Sequence, residues 1–277
     1  MPVNSIVANN KKIRLFYGIK TYGFTVACPG VRQYNQGRIT DKGDGFMFHP
    51  CAEPIDERLL ARACALSVSL LLDGAKAAGV ALPCGGCLPV QIMPLNRRVK
   101  MVGTALTVKT QPGDNRPIHL AIYGAGKPGY ALVIDGCGHD GCAYMGDLMI
   151  GACKALGFAG VAIDGRVRDW DGVMELGFPV YARGLSPLAP TKAKDGEVNG
   201  EIVLGGVRIC PGDLVMGDCD GLCVIPREDI ERVLDGAEMR RDYEENRARA
   251  IAAYVKAKEK GEDLPDLTPA WVKEILT

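Results

Sequence analysis

Between Tyr130 and Arg183 the chain alternates three apolar runs with two short helical stretches. The runs are 130–135, 160–164 and 179–183, and the helical stretches are 147–156 and 169–176. Gly157 and Gly177 follow the two helical stretches, where a left-handed residue commonly ends a helix. Runs that lack polar alternation read as strands covered on both faces. Strands that alternate with helices pair in parallel through right-handed crossovers. The expected class is therefore α/β with a parallel βαβ core.

The flanks fit around that core. Residues 1–50 are rich in glycine and aromatics and read as an N-terminal arm. From Ile55 to Ala78, Leu59, Leu60, Ala63, Leu66 and Leu70 recur at helical spacing, which predicts a helical region there. The run VGTALTVK, ending at Lys109, is a strand by alternation and β-branching. Residues 205–215 and 221–226 are short strands separated by turns. A charged helix follows, with Ile230, Val233, Leu234 and Ala237 on one stripe. The expected organisation is an arm over 1–50, a core domain over 51–236, and a C-terminal helix and tail over 237–277 that packs on a neighbouring subunit.

Composition excludes several functions. Thirty-three basic and thirty-three acidic residues cancel, which gives no field for nucleic acid or an anionic membrane surface. No apolar run reaches the ~20 residues that span a bilayer. The first residues lack the apolar segment of a secretory signal, so the expected location is cytoplasmic. Gly124-Ala-Gly126-Lys-Pro-Gly129 matches GxGxxG but leads into a strand, whereas dinucleotide binding needs a helix to begin there. Eleven cysteines at irregular spacing make no disulfide framework. Cys84 and Cys87, with Cys137, His139 and Cys142, are either a zinc ligand set or reduced, mostly buried thiols.

The chemistry gathers in "GDLMIGACKALGFAGVAIDGRVRDWDG", residues 146–172. In a parallel sheet, ligands collect beyond the carboxyl ends of the strands. A long glycine-rich turn over 136–146 would deliver Asp147 to a helix start, leaving the N–H groups of Leu148 and Met149 open to an anion. A second turn, over 164–169, would bring Arg168 and Asp169 to the same edge. Carboxylates from Asp147 and Asp169 suit Mg2+ or Mn2+, and a guanidinium suits a carboxylate. Together they could hold a small 2-oxo acid and stabilise its enolate. Each residue alone also fits an ordinary helix cap or surface ion pair. None of the three histidines, His49, His119 and His139, stands out as a general base.

The spacing Gly141-x5-Asp147-x20-Arg168-Asp169 resembles the signature of the RraA-like family. That family includes class II 4-hydroxy-4-methyl-2-oxoglutarate/4-carboxy-4-hydroxy-2-oxoadipate aldolases and the regulator of ribonuclease activity A. The similarity continues through "GFPVYARGLSP" and "GGVRICPGDLVMGDCDGLCVIP" and covers roughly residues 60–250. The resemblance implies a swivelling β/β/α domain assembled as a homotrimer or homohexamer. It implies that Asp169 binds a divalent metal directly and that Asp147 holds it through water. Arg168 would bind the pyruvyl carboxylate and the developing enolate, with Gly146, Leu148 and Met149 completing the substrate site. Glu244 or Glu245 would reach a neighbouring subunit's metal site. The implied activity is retro-aldol cleavage of a 4-hydroxy-2-oxo acid, decarboxylation of oxaloacetate, or both. The alternative is a non-catalytic oligomeric regulator that binds a protein partner.

Overall fold

A computed structural model describes residues 46–276. The N-terminal arm expected over 1–50 lies almost wholly outside the described residues. After a two-residue strand β1 (Met47–Phe48) come helices α1 (Glu57–Cys64) and α2 (Val68–Ala77). The periodicity predicts a helical region here, and the chain makes two helices of it. Ser67 is extended and caps α2 by accepting the Leu70 N–H at 3.1 Å, while the Val68 N–H donates to Asp218 Oδ2 at 2.8 Å. A capping serine placed inside a helical pattern starts a new helix.

Strands β2 (Met93–Pro94) and β3 (Met101–Lys109) lead to helix α3 (Arg116–Gly124). The alternating core follows: β4 (Tyr130–Met145), α4 (Asp147–Ala155), β5 (Gly160–Val167), α5 (Trp170–Leu176) and β6 (Val180–Ala182). Short strands β7 (Gly184–Leu185), β8 (Glu197–Val198), β9 (Ile202–Leu204), β10 (Val207–Ile209), β11 (Leu214–Gly217) and β12 (Leu222–Ile225) precede helices α6 (Ile230–Lys260) and α7 (Ala270–Leu276).

β3, β4, β5 and β6 pair in parallel in that order, with Lys109 opposite Asp135 and Ile134 opposite Ile163. β11 and β8 join β3 antiparallel, and β2 joins β6 antiparallel, so the parallel centre has antiparallel margins. Side chains alternate between the faces of β4. Leu132 and Ile134 pack with α3, α4 and α5 through Ile118, Ile122, Ile150 and Val173. Ala131 and Val133 face Ile202, Leu204, Val207 and Ile209 of the β9–β10 hairpin. This explains the unbroken apolar runs, since both faces are covered.

A third apolar layer joins α1, α2 and the start of α6 to β11 and β12. The stripe Ile230, Val233, Leu234 and Ala237 is fully buried there. α2 and α6 cross backbone to backbone: a Cβ on Gly74 would lie 2.5 Å from the Ala237 nitrogen, and one on Gly236 would lie 2.5 Å from the Gly74 oxygen. No helix among the described residues is long and apolar enough to cross a membrane.

The glycine-rich turn expected over 136–146 is not a loop. β4 continues to Met145 through register shifts after Ile134, His139 and Ala143, with His139 opposite Gly165 and Met145 opposite Val167. β5 likewise runs on to Val167, so the expected turn over 164–169 shrinks to Arg168 and Asp169. Each strand gives the other a partner, and bulges absorb the extra residues. Cys137 and Gly138 take positive φ in the first of them.

Candidate active site

Gly146 and Asp147 open α4, and Arg168 and Asp169 open α5, at the ends of the adjacent parallel strands β4 and β5. Asp147 stands in the first helical turn, where a negative charge meets the positive end of the helix dipole. Asp169 precedes α5 with φ 60° and ψ 48°, a left-handed conformation that aspartate tolerates better than most non-glycine residues. Its carbonyl accepts the Val173 N–H at 3.0 Å, and the Arg168 N–H donates to the Met145 carbonyl at 2.9 Å. These bonds tie both ends of the tight turn.

The two carboxylates are exchanged between the helices. A Cβ built on Gly146 would lie 2.2 Å from Asp169 Oδ2, 3.2 Å from Arg168 Cγ and 3.3 Å from Arg168 Nε. A Cβ built on Gly172, in α5, would lie 2.8 Å from Asp147 Oδ2. Asp169 thus leans on the entry to α4 and Asp147 on the first turns of α5. Gly146 is extended (φ −127°, ψ −174°), so its need for glycine is one of space. Arg168 Nε lies 3.3 Å from Asp169 Oδ2, and both side chains are about two-fifths exposed.

Of the residues singled out by sequence, Gly146, Asp147, Arg168 and Asp169 therefore meet in one place. Met149 lies in the first turn of α4 behind them. The Leu148 N–H, expected to be open, donates instead to Asp147 Oδ1 at 2.7 Å, and the Leu148 side chain is 86% exposed. Glu244 and Glu245 face Arg240 and Arg241 on α6 at 3.4 and 3.9 Å. Asp164 is buried in β5 and paired with Arg183. Cys84, Cys87 and Cys137 are exposed and Cys142 is buried. Among the described residues the one group of three ligand-type side chains close enough for a metal is Asp218, Cys219 and Asp220. Cys84, Cys87, Cys137, His139 and Cys142 form no such group.

The exchanged carboxylates fit a hard divalent cation that keeps several waters. They are oxygen donors, they are partly open to solvent, and Arg168 leaves the trio with one net negative charge.

Two supporting residues escaped the sequence reading. Asn115, 3% exposed at the start of α3, donates from Nδ2 to the Tyr144 carbonyl at 2.7 Å and faces Met149 Sδ at 3.5 Å, bracing the approach to α4. The Tyr144 hydroxyl donates to the Gly136 carbonyl and accepts the Gly113 N–H, and burial pushes its pKa up to about 12. The available signal was Asn115 followed by Pro117, a helix-start pattern.

The profile of the RraA-like family, described as Aldolase/RraA, matches residues 79–224, more than half of the chain. A Halalkalibacterium halodurans protein named "Putative 4-hydroxy-4-methyl-2-oxoglutarate aldolase" is 42% identical over 60% of this chain and 79% of its own length. A crystal structure of an uncharacterized Pseudomonas syringae pv. tomato protein shares 28% identity, with a TM-score of 0.64 over 74% of this chain and 93% of that one. Streptomyces coelicolor RraAS2, described as an unusual member of the RNase ES inhibitor RraA protein family, shares 26% identity, with a TM-score of 0.62 over 70% of this chain and 97% of that one. With its mixed sheet, parallel centre and paired helix mouths, the chain belongs to the RraA-like family.

Proposed function

We propose that this protein is a divalent-metal-dependent lyase that cleaves a 4-hydroxy-2-oxo acid by retro-aldol reaction, decarboxylates oxaloacetate at the same site, or does both. The observation that carries the reading is the exchange of Asp147 and Asp169 between two helix mouths, with Arg168 laid across Gly146. The name of the Halalkalibacterium halodurans relative supports the aldolase class.

Asp169 would hold the metal directly and Asp147 through water. Bound there, Mg2+ or Mn2+ supplies Lewis-acid stabilisation of negative charge on the 2-oxo oxygen. Arg168 binds the substrate carboxylate and, being permanently cationic, faces the charge that develops during cleavage. Gly146 leaves space for the Arg168 stem and the Asp169 carboxylate that would face the substrate, and the Met149 N–H in the first turn of α4 would meet the substrate carboxylate. In the retro-aldol direction the C3–C4 bond breaks, the 4-hydroxyl loses its proton as the new carbonyl forms, and C3 takes up a proton to give pyruvate.

The segment 237–277 is assigned to subunit packing in a homotrimer or homohexamer. The exposed Met239, Tyr243, Ile251 and Val255 on α6 support this.

The test is pyruvate release from oxaloacetate with Mg2+ or Mn2+, with chelator, and in Arg168→Ala and Asp169→Asn. Metal-dependent release that falls at least a hundredfold in both variants is expected. Release indifferent to chelator, or to both substitutions, would sink the reading. A folded, metal-loaded chain inert on oxaloacetate and on 4-hydroxy-2-oxo acids would turn the assignment to a partner-binding regulator.

A further inference from the structure

β12 pairs with β11 along one edge, and its other edge meets the segment that follows the 3-10 turn Pro83–Gly86. There Cys87 stands directly opposite Cys223 in an antiparallel bridge, and the Leu88 N–H donates to the Leu222 carbonyl at 3.0 Å. That bond joins the residues flanking the pair. Cys87 and Cys223 therefore occupy a non-hydrogen-bonded position, in which opposite side chains stand closest. Such neighbours have Cα atoms about 4.5 Å apart, within the roughly 4.4–6.8 Å that a disulfide spans.

The faces agree with this pairing. Leu88 and Leu222 both belong to the apolar layer shared with the β9–β10 hairpin. Successive residues of extended chain point to opposite faces, so Cys87 and Cys223 share the other one, where Cys223 packs with Leu71, Met216 and Ile225. Both are thiols in this structure, and their surroundings differ: Cys87 is exposed and Cys223 is fully buried. Burial first, and then the nearness of Cys87 and Asp218, pushes the Cys223 thiol up. Cys84 lies against the hairpin tip, since a Cβ on Gly206 would stand 2.7 Å from its Sγ. Of the facing pair, Cys87 is the sulfur that a solute reaches, and Cys223 is reached from Cys87.

We propose that Cys87 and Cys223 form a reversible disulfide, made by exchange with a low-molecular-weight disulfide, which staples the segment after Gly86 to the edge of β12. The inference does not depend on the lyase reading. In the first step the Cys87 thiolate attacks one sulfur of the small disulfide, whose S–S bond breaks, and one small thiol leaves with the electron pair. In the second, Cys223 gives up its proton and attacks Cys87 Sγ, and the second small thiol leaves. Two protein thiols are oxidised and one small disulfide is reduced to two thiols. Exposure of Cys87 lets an external thiolate reverse the sequence by attack on its sulfur. The bond would close a loop of about 135 residues, which restricts the unfolded chain far more than the folded one.

The experiment incubates the full chain with oxidised glutathione, blocks the remaining thiols, and maps cross-linked peptides by mass spectrometry beside a thermal melt. The expected result is one peptide pair joined through Cys87 and Cys223, with a Tm higher by roughly 5–10 °C than that of the reduced chain. Dithiothreitol should remove both the link and the Tm rise. Cys84→Ser should keep them, and Cys87→Ser, at an exposed position, should lose them. A bond between Cys84 and Cys87, glutathione retained on Cys87, or a folded wild-type chain with no link to Cys223 each overturns the proposal.

Discussion

Replacing Gly172 with alanine separates the geometry of the carboxylates from the stability of the fold. The new Cβ would stand 2.8 Å from Asp147 Oδ2, 2.9 Å from Asp147 Cβ and 3.2 Å from Asp147 Cγ. Ordinary contact begins near 3.4 Å, so Asp147 must retreat by roughly half an ångström, and its own Cβ must move with the carboxylate. Alanine in place of a helical glycine stabilises by about 1 kcal/mol, while overpacking costs about 1–3 kcal/mol. The net change in folding free energy is then within about 2 kcal/mol, a few degrees in Tm for a chain of this size. Activity should respond far more strongly. A catalytic group displaced by about 1 Å can lower the rate on the order of a hundredfold, so half of that displacement is expected to lower kcat/KM roughly tenfold or more. The assay couples pyruvate release to a dehydrogenase, over a Mg2+ titration, beside a thermal melt of the same preparation. Wild-type kcat/KM and wild-type Mg2+ dependence in a folded Gly172→Ala chain would refute the claim that Asp147 works from its place on α5.

Two further predictions concern the scaffold. Gly74→Ala sets a Cβ against backbone atoms of α6, at 2.5 Å from the Ala237 nitrogen and 2.6 Å from the Val233 oxygen, and backbone cannot give as a flexible side chain does. Thermal denaturation should show a loss of about 1–3 kcal/mol, and an unchanged Tm would refute the backbone-to-backbone crossing. Asp213 is buried and its pKa is pushed up to about 6 from an ordinary 3.8, even though the Cys210 and Arg227 N–H groups donate to it. The folded chain then holds this proton more tightly than the unfolded chain. The resulting stability is fully present below about pH 4 and is lost as pH rises through 6, on the order of 2–3 kcal/mol in all. Tm measured from pH 4.5 to 7.5 should lose that downward slope in Asp213→Asn, and the same slope in both proteins would exclude Asp213 as its source.

The parts of the fold that sequence foretold are those where periodicity and burial agree. The runs at 130–135 and 160–164 are apolar because helices cover one face and the β9–β10 hairpin the other, and Gly177 ends α5 in the left-handed conformation expected of it. Prediction failed where tertiary pairing overrode local chemistry. Residues 136–145 carry loop composition, yet β5 extends alongside and holds them as a bulged strand. The break at Ser67 needed the recognition of a cap inside a helical pattern. At the site, the spacing of Asp147, Arg168 and Asp169 was visible, whereas the exchange of carboxylates depends on how α4 and α5 lie side by side. Asn115 went unnoticed because its partners, Tyr144 and Met149, are about thirty residues away in the chain.

If Asp147 and Asp169 hold a cation as proposed, their exchange also couples that ligand set to the packing of α4 on α5. Asp147 has its seat on α5, and Asp169 has its seat at the mouth of α4. On the proposed reading, neither βα unit alone would hold both carboxylates in place, so a fragment that ends between them would offer a cation only part of its ligand set. The packing that would seat both carboxylates is the same packing that buries Ile150, Ile163 and Val173 in one apolar cluster.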